Sequence, residues 1–595
     1  MPAPNMPLEA KRVSAIALLF WLCAAGFMLA TVGPKVPAHL GDSDDALRLQ
    51  QVRDLLFGGQ GWYDLIQHRF NPPDGVFIHW SRLIDIPLAL MILTLKPFLG
   101  LAAAEAWTQR LWPMVPILPL LIAVGVIAGR LGGRAAALIA MAYAAVASCF
   151  VTLFTPGRID HHNVQLAATL VLFACILVET RIAAILGGIA AALMLAIGME
   201  TLPYSVLAGV VLVIRWIAEP ASRAVMVASF TSFSITGLLF FAVTVAPWRW
   251  AEPACDMISP VYLAPIIVTT LTLAMGSRFP IVTSLPARFG IAFIAGLLAI
   301  ASVALLNPIC LKGPYAAVDP RLFTLWMNDV AEARSGLDVF LETPQVILAV
   351  LSIPLAAIML GAGFMVLSRD RDRFGLAAPL ALVAVSFAIA LWQVRAAPFS
   401  TMFAVPLLAA LLARFVGGAT ALKPQAIPKL ALFCLMLNPL TLPLFGVASG
   451  NAIALSRGLS TEISARGGAC GEAADYIGLA ALPPGLVIAP VDLGSFIVAT
   501  TAHSALAAPY HRDQDGILDA IALFSAPDAE AKAIALRRKA TYLAYCALSG
   551  DVATWGTGGA NGLEARLQHG LIPEWLEPVP PSAASPLRIF WVKPQ

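Results

Sequence analysis

Apolar runs of roughly 17–23 residues recur along this chain from Val13 to about Ser449, each long enough to cross a hydrocarbon core of about 30 Å. Charged residues are only 12% of the 595 and hydrophobic ones 59%. Soluble domains carry about 25% charge, so this apolar surface has to be hidden in lipid. The formal net charge of +3 is too mild a basic excess to suggest nucleic acid as a partner. After Ser449 the texture changes to charges, turns and short apolar runs. The chain is therefore expected to form an α-helical polytopic transmembrane domain, residues 1–449, and a soluble α/β domain, residues 450–595.

Candidate spans lie near 13–31, 111–129, 135–153, 163–179, 181–198, 203–217, 225–246, 258–276, 289–306, 345–367, 376–394, 398–416 and 429–449. One further run, 84–102, is ambiguous, and the distribution of Lys and Arg decides it. With 84–102 lying in the interface, Lys11 and Arg12, Arg130 and Arg134, Arg181, Arg215 and Arg223, Arg278 and Arg288, Arg369, Arg371 and Arg373, and Lys423 and Lys429 all face the cytoplasm. If it crossed, every one of those loops after the first would flip outward. About thirteen spans result. The long loops 32–83 and 307–344 and the C-terminal domain then share the periplasmic face of a bacterial inner membrane. Residues 13–31 lack a small-x-small cleavage context and read as a signal anchor.

The first outer loop carries Gly41-Asp42-Ser43-Asp44-Asp45 ahead of a helical stretch that ends at Gly58 and Gly59. Ser43 or Asp44 suits the cap. Capping needs one carboxylate, whereas three in four residues also fit a divalent metal or a base. Further along, His79-Trp80-Ser81-Arg82 places an imidazole and a guanidinium where an anionic headgroup or phosphate would lie. The second outer loop, Thr155-Pro156-Gly157-Arg158-Ile159-Asp160-His161-His162-Asn163, offers oxygen and imidazole ligands between two spans. Polar groups there are costly without partners. Glu200, Cys255-Asp256, Asn328-Asp329-Val330-Ala331-Glu332 and Arg395 fall at the same face.

In this order the motifs resemble the GT-C superfamily of membrane glycosyltransferases, and the catalytic subunits of oligosaccharyltransferases in particular. The resemblance covers roughly residues 1–450. It matches Asp42 and Asp44 to the family's first-loop acidic motif and Ile159-Asp160-His161-His162 to its second. Asp329-Val330-Ala331-Glu332 is similar to the Ser-Val-x-Glu-type motif, and Arg395 to the late-span arginine. It implies a sugar or glycan donor linked to a polyprenyl phosphate or pyrophosphate, and a glycan, lipid or protein acceptor. Asp42, Asp44, Asp160 and Glu332 are the expected catalytic groups, Asp44 being preferred as base. Asp42, Asp44, Asp160, His161 and His162 are the expected ligands of a divalent metal, Mg or Mn. Arg395, His79, Arg82 and Arg158 are the candidates for the donor phosphate. Two departures stand out: the C-terminal domain has no Trp-Trp-Asp-Tyr-Gly motif, and histidines replace the second acidic residue of the second-loop motif.

The rival reading is a transporter or flippase for a lipid-linked saccharide. Such a protein would carry charges at the bilayer midplane and internal repeats; no repeat is found, and the polar residues sit at outer ends. Among the eight cysteines, Cys23, Cys149, Cys175 and Cys434 fall within spans. The other four lie on the oxidising side, where disulfides persist. Shared domain membership favours Cys255–Cys310 and Cys470–Cys546, with four free thiols as the alternative.

Overall fold

The computed structural model describes residues 10–279, 284–367, 376–415, 428, 435–461, 470–547, 562–580 and 585–593. Among the described residues, seven helical stretches are long and apolar enough to cross a membrane. Shorter apolar helices join them at His162–Val178, Arg181–Ile197, Pro260–Gly276, Ala377–Trp392 and Thr441–Ser456. The longest stretch, Leu101–Phe150, doubles back at Gly133, whose φ of 76° and ψ of −163° together suit a residue without a β-carbon. Counting that hairpin twice gives thirteen apolar segments among the described residues. The last helix, Thr441–Ser456, continues beyond residue 449. Its glycines Gly446 and Gly450 lie against the backbone of Leu348 and Gln345, so the two helices touch main chain to main chain.

The helix Arg82–Leu99 is not among the crossing segments. It buries Ile84, Leu88 and Ile92 against Val52, Trp112 and Ile159. Its other face leaves Ile86, Leu90, Leu93 and Phe98 exposed, the disposition of a helix lying along a lipid surface. The basic helix ends gather on one side of the bundle. Arg414 reaches the carbonyl of Leu131 at 3.0 Å, Arg223 reaches Ser277 at 2.8 Å and Arg288 reaches the carbonyl of Ile217 at 2.8 Å. Arg369, Arg371, Arg373, Lys423, Lys429 and Cys434 lie outside the described residues. At the centre runs Ala397–Phe415, buried from Phe399 to Ala413 on all sides.

The C-terminal region forms a five-stranded sheet. In spatial order its strands are Ser504–Ala505, Leu486–Ile488, Tyr542–Cys546, Leu587–Val592 and Leu576–Pro578. The first three are mutually parallel and the last two antiparallel to their neighbours. Side chains alternate across such a sheet. Leu486, Ile488, Leu543, Tyr545, Phe590 and Val592 therefore face the helices Gln514–Ser525 and Asp528–Arg537, together with Leu322, Trp326 and Met327 of the second long loop. Val487, Tyr542, Ala544 and Ile589 face Leu47, Phe70, Val76, Ile78 and Trp80 of the first. Each long loop of the membrane region thus completes one face of the sheet. Arg69 reinforces the joint by donating to the carbonyls of Val498 at 2.7 Å and Thr501 at 2.8 Å. Both expected disulfides, Cys255–Cys310 and Cys470–Cys546, are formed.

Candidate functional site

Asp42 caps the helix Ser43–Leu56, accepting from the Asp44 N–H at 3.2 Å. From the same first turn Asp45 reaches across to the second loop, where one oxygen accepts from the N–H groups of Ile159 at 2.7 Å and Asp160 at 3.0 Å. Arg158 closes the joint, lying 2.7 Å from Asp42, 3.2 Å from Asp45 and 2.7 Å from Asp160. These bonds fix two loops that are more than a hundred residues apart. As a result Asp44, Asp160 and His162 bring one ligand atom each to within 4.8 Å of one another. A second trio, His161, His162 and Glu200, shares His162 and meets the same criterion.

Burial shapes the electrostatics here. It pushes the Asp44 carboxyl well above its ordinary value, and the charges of Asp42 and Glu332 add to the push. Burial acts in the same direction on Asp160, but Arg158 and His162 outweigh it and hold that carboxylate far below its usual range. His161 is driven down to about 3 by burial and by its neighbour His162, so it is neutral.

These groups form one wall of a cavity of about 400 Å³. Glu332, Arg395, Tyr315 and Trp326 come from the later part of the chain, and Tyr510 and His511 from the sheet domain. Arg395 lies in a turn just before the buried central helix. Its N–H donates to the Glu332 carbonyl at 3.0 Å, and the Val394 N–H donates to that of Arg334 at 3.0 Å. The Arg395 side chain bonds Tyr315 and is drawn toward Glu200 and Glu332. His79 lines the opposite side; burial lowers it to about 3, leaving a neutral imidazole.

Asp42, Asp44, His79, His161, His162, Glu332 and Arg395 line the cavity, and Asp160 lies directly behind His162. Two expected phosphate ligands are placed otherwise. Arg82 is fully buried away from the cavity, donating to Asp85 at 3.0 Å and to the carbonyls of Asp64, Trp62 and Gln51. Arg158 is committed to its three carboxylates. Tyr315, Trp326, Asp492, Tyr510 and His511 were not anticipated. The only signal for the last two is the dense run Tyr510-His511-Arg512-Asp513 in an otherwise ordinary polar domain.

No protein-family model matches this sequence, and a search of curated proteins finds no match. Solved structures do match. The archaeal oligosaccharyltransferase AglB from Archaeoglobus fulgidus, in complex with an inhibitory peptide and a dolichol-phosphate, superimposes with a TM-score of 0.63. The two are 13% identical over 96% of this chain and 72% of that one. The fold is that of an oligosaccharyltransferase. A second Archaeoglobus fulgidus oligosaccharyltransferase structure, tethered to an acceptor peptide containing the NVT sequon, gives 0.58 at 14% identity over 97% of this chain and 74% of the other. A third, in complex with Zn and sulfate, gives 0.55 at 15% identity over 98% and 73%. Such a fold raises the matter of a metal, and the residues here fit one. Two carboxylates and an imidazole converge, and the convergent Asp160 is buried and held ionised. Oxygen and nitrogen donors of that mix suit a divalent cation.

Proposed function

We propose that this protein is a GT-C-type membrane glycosyltransferase acting on the periplasmic face of a bacterial inner membrane. It moves a sugar or glycan from a polyprenyl-phosphate or -pyrophosphate donor to a glycan, lipid or protein acceptor. The observation that carries this reading is the meeting of Asp44, Asp160 and His162 with Arg395 and Glu332 around one cavity at the seam between the membrane helices and the sheet domain. Asp44, Asp160 and His162 would hold Mg or Mn, which when bound supplies positive charge to the leaving phosphate. Arg395 and the neutral His79 then bind phosphate oxygens from the other side, the first as a fixed charge and the second as a hydrogen-bond donor. Arg158 keeps Asp160 ionised and the two loops in register. A flippase would leave the carboxylate–histidine trio without a task.

Purified protein in lipid nanodiscs should release polyprenyl phosphate from polyprenyl-phosphate hexoses. Asp44→Asn and Asp160→Asn should each lower that turnover at least about a hundredfold, within the roughly 10²–10⁴ range of such groups. Near-normal turnover by both variants would sink the assignment. Reporter fusions near Gly132 should read cytoplasmic, and one just after Gly458, past the end of the last helix, periplasmic. The reverse pattern would put the cavity on the wrong side of the membrane.

A further inference from the structure

On this reading Asp44 and Asp160 would hold the cation, whose charge makes their carboxylates poor bases, and Glu200 is engaged by Gln165 at 3.1 Å and by the two histidines. None of the three is free to accept a proton from the incoming group. The opposite wall holds a better candidate. His511 Nε2 lies 2.7 Å from an Asp256 oxygen, and Arg512 grips the same carboxylate with two bonds of 2.8 and 2.7 Å. Burial opposes the charge on Asp256, but the hydrogen bonds from His511 and Arg512 hold it well below the usual carboxylate range. An ionised carboxylate only accepts, so Nε2 carries a proton, and it is the neutral form of the ring whose Nδ1 holds a lone pair. The imidazole is packed by the edge of Tyr315 at 5.0 Å and by His79 at 5.1 Å between ring centres. Asp256 itself follows Cys255, which is tied to Cys310. His79, Asp256 and His511 also approach one another closely enough to suggest a cation site. Arg512, however, already supplies the positive charge, on both oxygens.

We infer that His511, oriented by Asp256, is the general base that activates the acceptor, and that the acceptor is therefore a hydroxyl. An amide nitrogen has its lone pair delocalised into the carbonyl, and its proton is out of reach of an imidazole. A hydroxyl oxygen has free lone pairs and has only to lose its proton as the new bond forms. Nδ1 takes that proton while the oxygen bonds to the anomeric carbon of the sugar. The bond from that carbon to the phosphate oxygen breaks, and its electron pair leaves with the polyprenyl phosphate. The imidazolium, paired with Asp256, then returns its proton to water. Asp256 is a positioning residue in this scheme. The missing Trp-Trp-Asp-Tyr-Gly motif accords with it, because the sheet domain supplies a base in place of a grip on a peptide amide.

The inference rests on the glycosyltransferase reading, and one experiment separates the two. Full-length protein in nanodiscs is given farnesyl-phosphate hexoses with either water or azide as the probe acceptor, and freed farnesyl phosphate is measured across pH. His511→Gln should lose about a hundredfold in water-dependent release, together with the rising limb of the pH profile, and azide should restore it because an anion needs no base. Asp256→Asn should move that limb to lower pH, the imidazolium having lost its partner. Three results overturn the dyad: wild-type-like release by His511→Gln, loss of release that azide does not rescue, or an unmoved pH limb in Asp256→Asn. If Asp44→Asn abolishes release in any of those cases, the glycosyltransferase reading still stands. If the wild-type protein releases nothing from any donor with either acceptor, both fall together.

Discussion

The two walls of the cavity are built differently. The wall made by the loops of the membrane region, with Asp44, Asp160 and His162, is held by an internal ionic frame centred on Arg158. The wall bearing His511 is held across the domain boundary, by Asp256 on His511 and Arg512 and by Tyr510, which donates to the Ser43 carbonyl at 3.2 Å. The first is rigid by its own bonds, whereas the second exists only while the sheet domain stays docked. Damage to the first wall should therefore abolish chemistry with the fold intact. Damage to the second should affect acceptor use and docking together.

Arg395 stands where the walls meet, so its loss tests the comparison most severely after the carboxylates of the trio. Arg395→Ala should lower kcat/KM for a polyprenyl-phosphate hexose by about 10²–10³, the range for removing one donor aimed at developing charge. Arg395→Lys should recover part of it, since a point charge persists without the planar fork. Equal activity of Arg395→Ala and wild type would leave the phosphate to the first wall alone.

The first wall was the legible one. Asp42-Ser43-Asp44-Asp45 and Asp160-His161-His162 stand out because a dense polar run in an apolar chain is costly and so needs a reason. The thirteen apolar segments among the described residues were readable for a related cause: length and hydropathy pick out the runs, and the distribution of Lys and Arg sets 84–102 apart. His511 was hidden because its domain is polar, and one more histidine there offers no contrast. Arg82 and Arg158 were misplaced because sequence shows a guanidinium but not the acceptors that close around it. Nor could it show that Leu47, Phe70 and Trp80 of one loop, and Leu322 and Trp326 of another, would finish the two faces of a sheet more than 150 residues further on.

Two titrations sharpen the contrast. Without a cation, burial first, and then Asp42 and Glu332, keep a proton on Asp44. Metal binding must displace that proton, so Mn²⁺ should raise the melting temperature more at pH 8 than at pH 6. A stabilisation independent of pH would take Asp44 out of the ligand set. In the second wall Asp256 is held below its ordinary value, so its contribution to docking is complete above the unfolded value of about 3.9 and is lost as pH falls below it. The gap in melting temperature between wild type and Asp256→Asn should shrink once the pH falls below about 4. A gap that stays unchanged down to about pH 2 would mean that Asp256 is not the anionic partner.

The smallest effect on catalysis is expected at Arg82, and it bears on how the first wall is bounded. Its guanidinium is enclosed with Asp85, which Arg48 also binds at 2.9 Å, and it donates to three backbone carbonyls on top of that pair. Lysine at this position keeps the charge but has three donors in place of five, so buried acceptors are left unpaired at about 1–3 kcal/mol each. Arg82→Lys should therefore melt several degrees lower while its KM for donor stays within about twofold of wild type. Arg395→Lys should do the opposite, raising KM with little change in melting. The contrast follows from where each guanidinium ends: Arg82 is inside the packing that shapes the loop, and Arg395 is at the cavity surface with its Nε unpartnered. A donor KM raised tenfold in Arg82→Lys at unchanged melting temperature would extend the phosphate site down into the loop and erase the boundary drawn here.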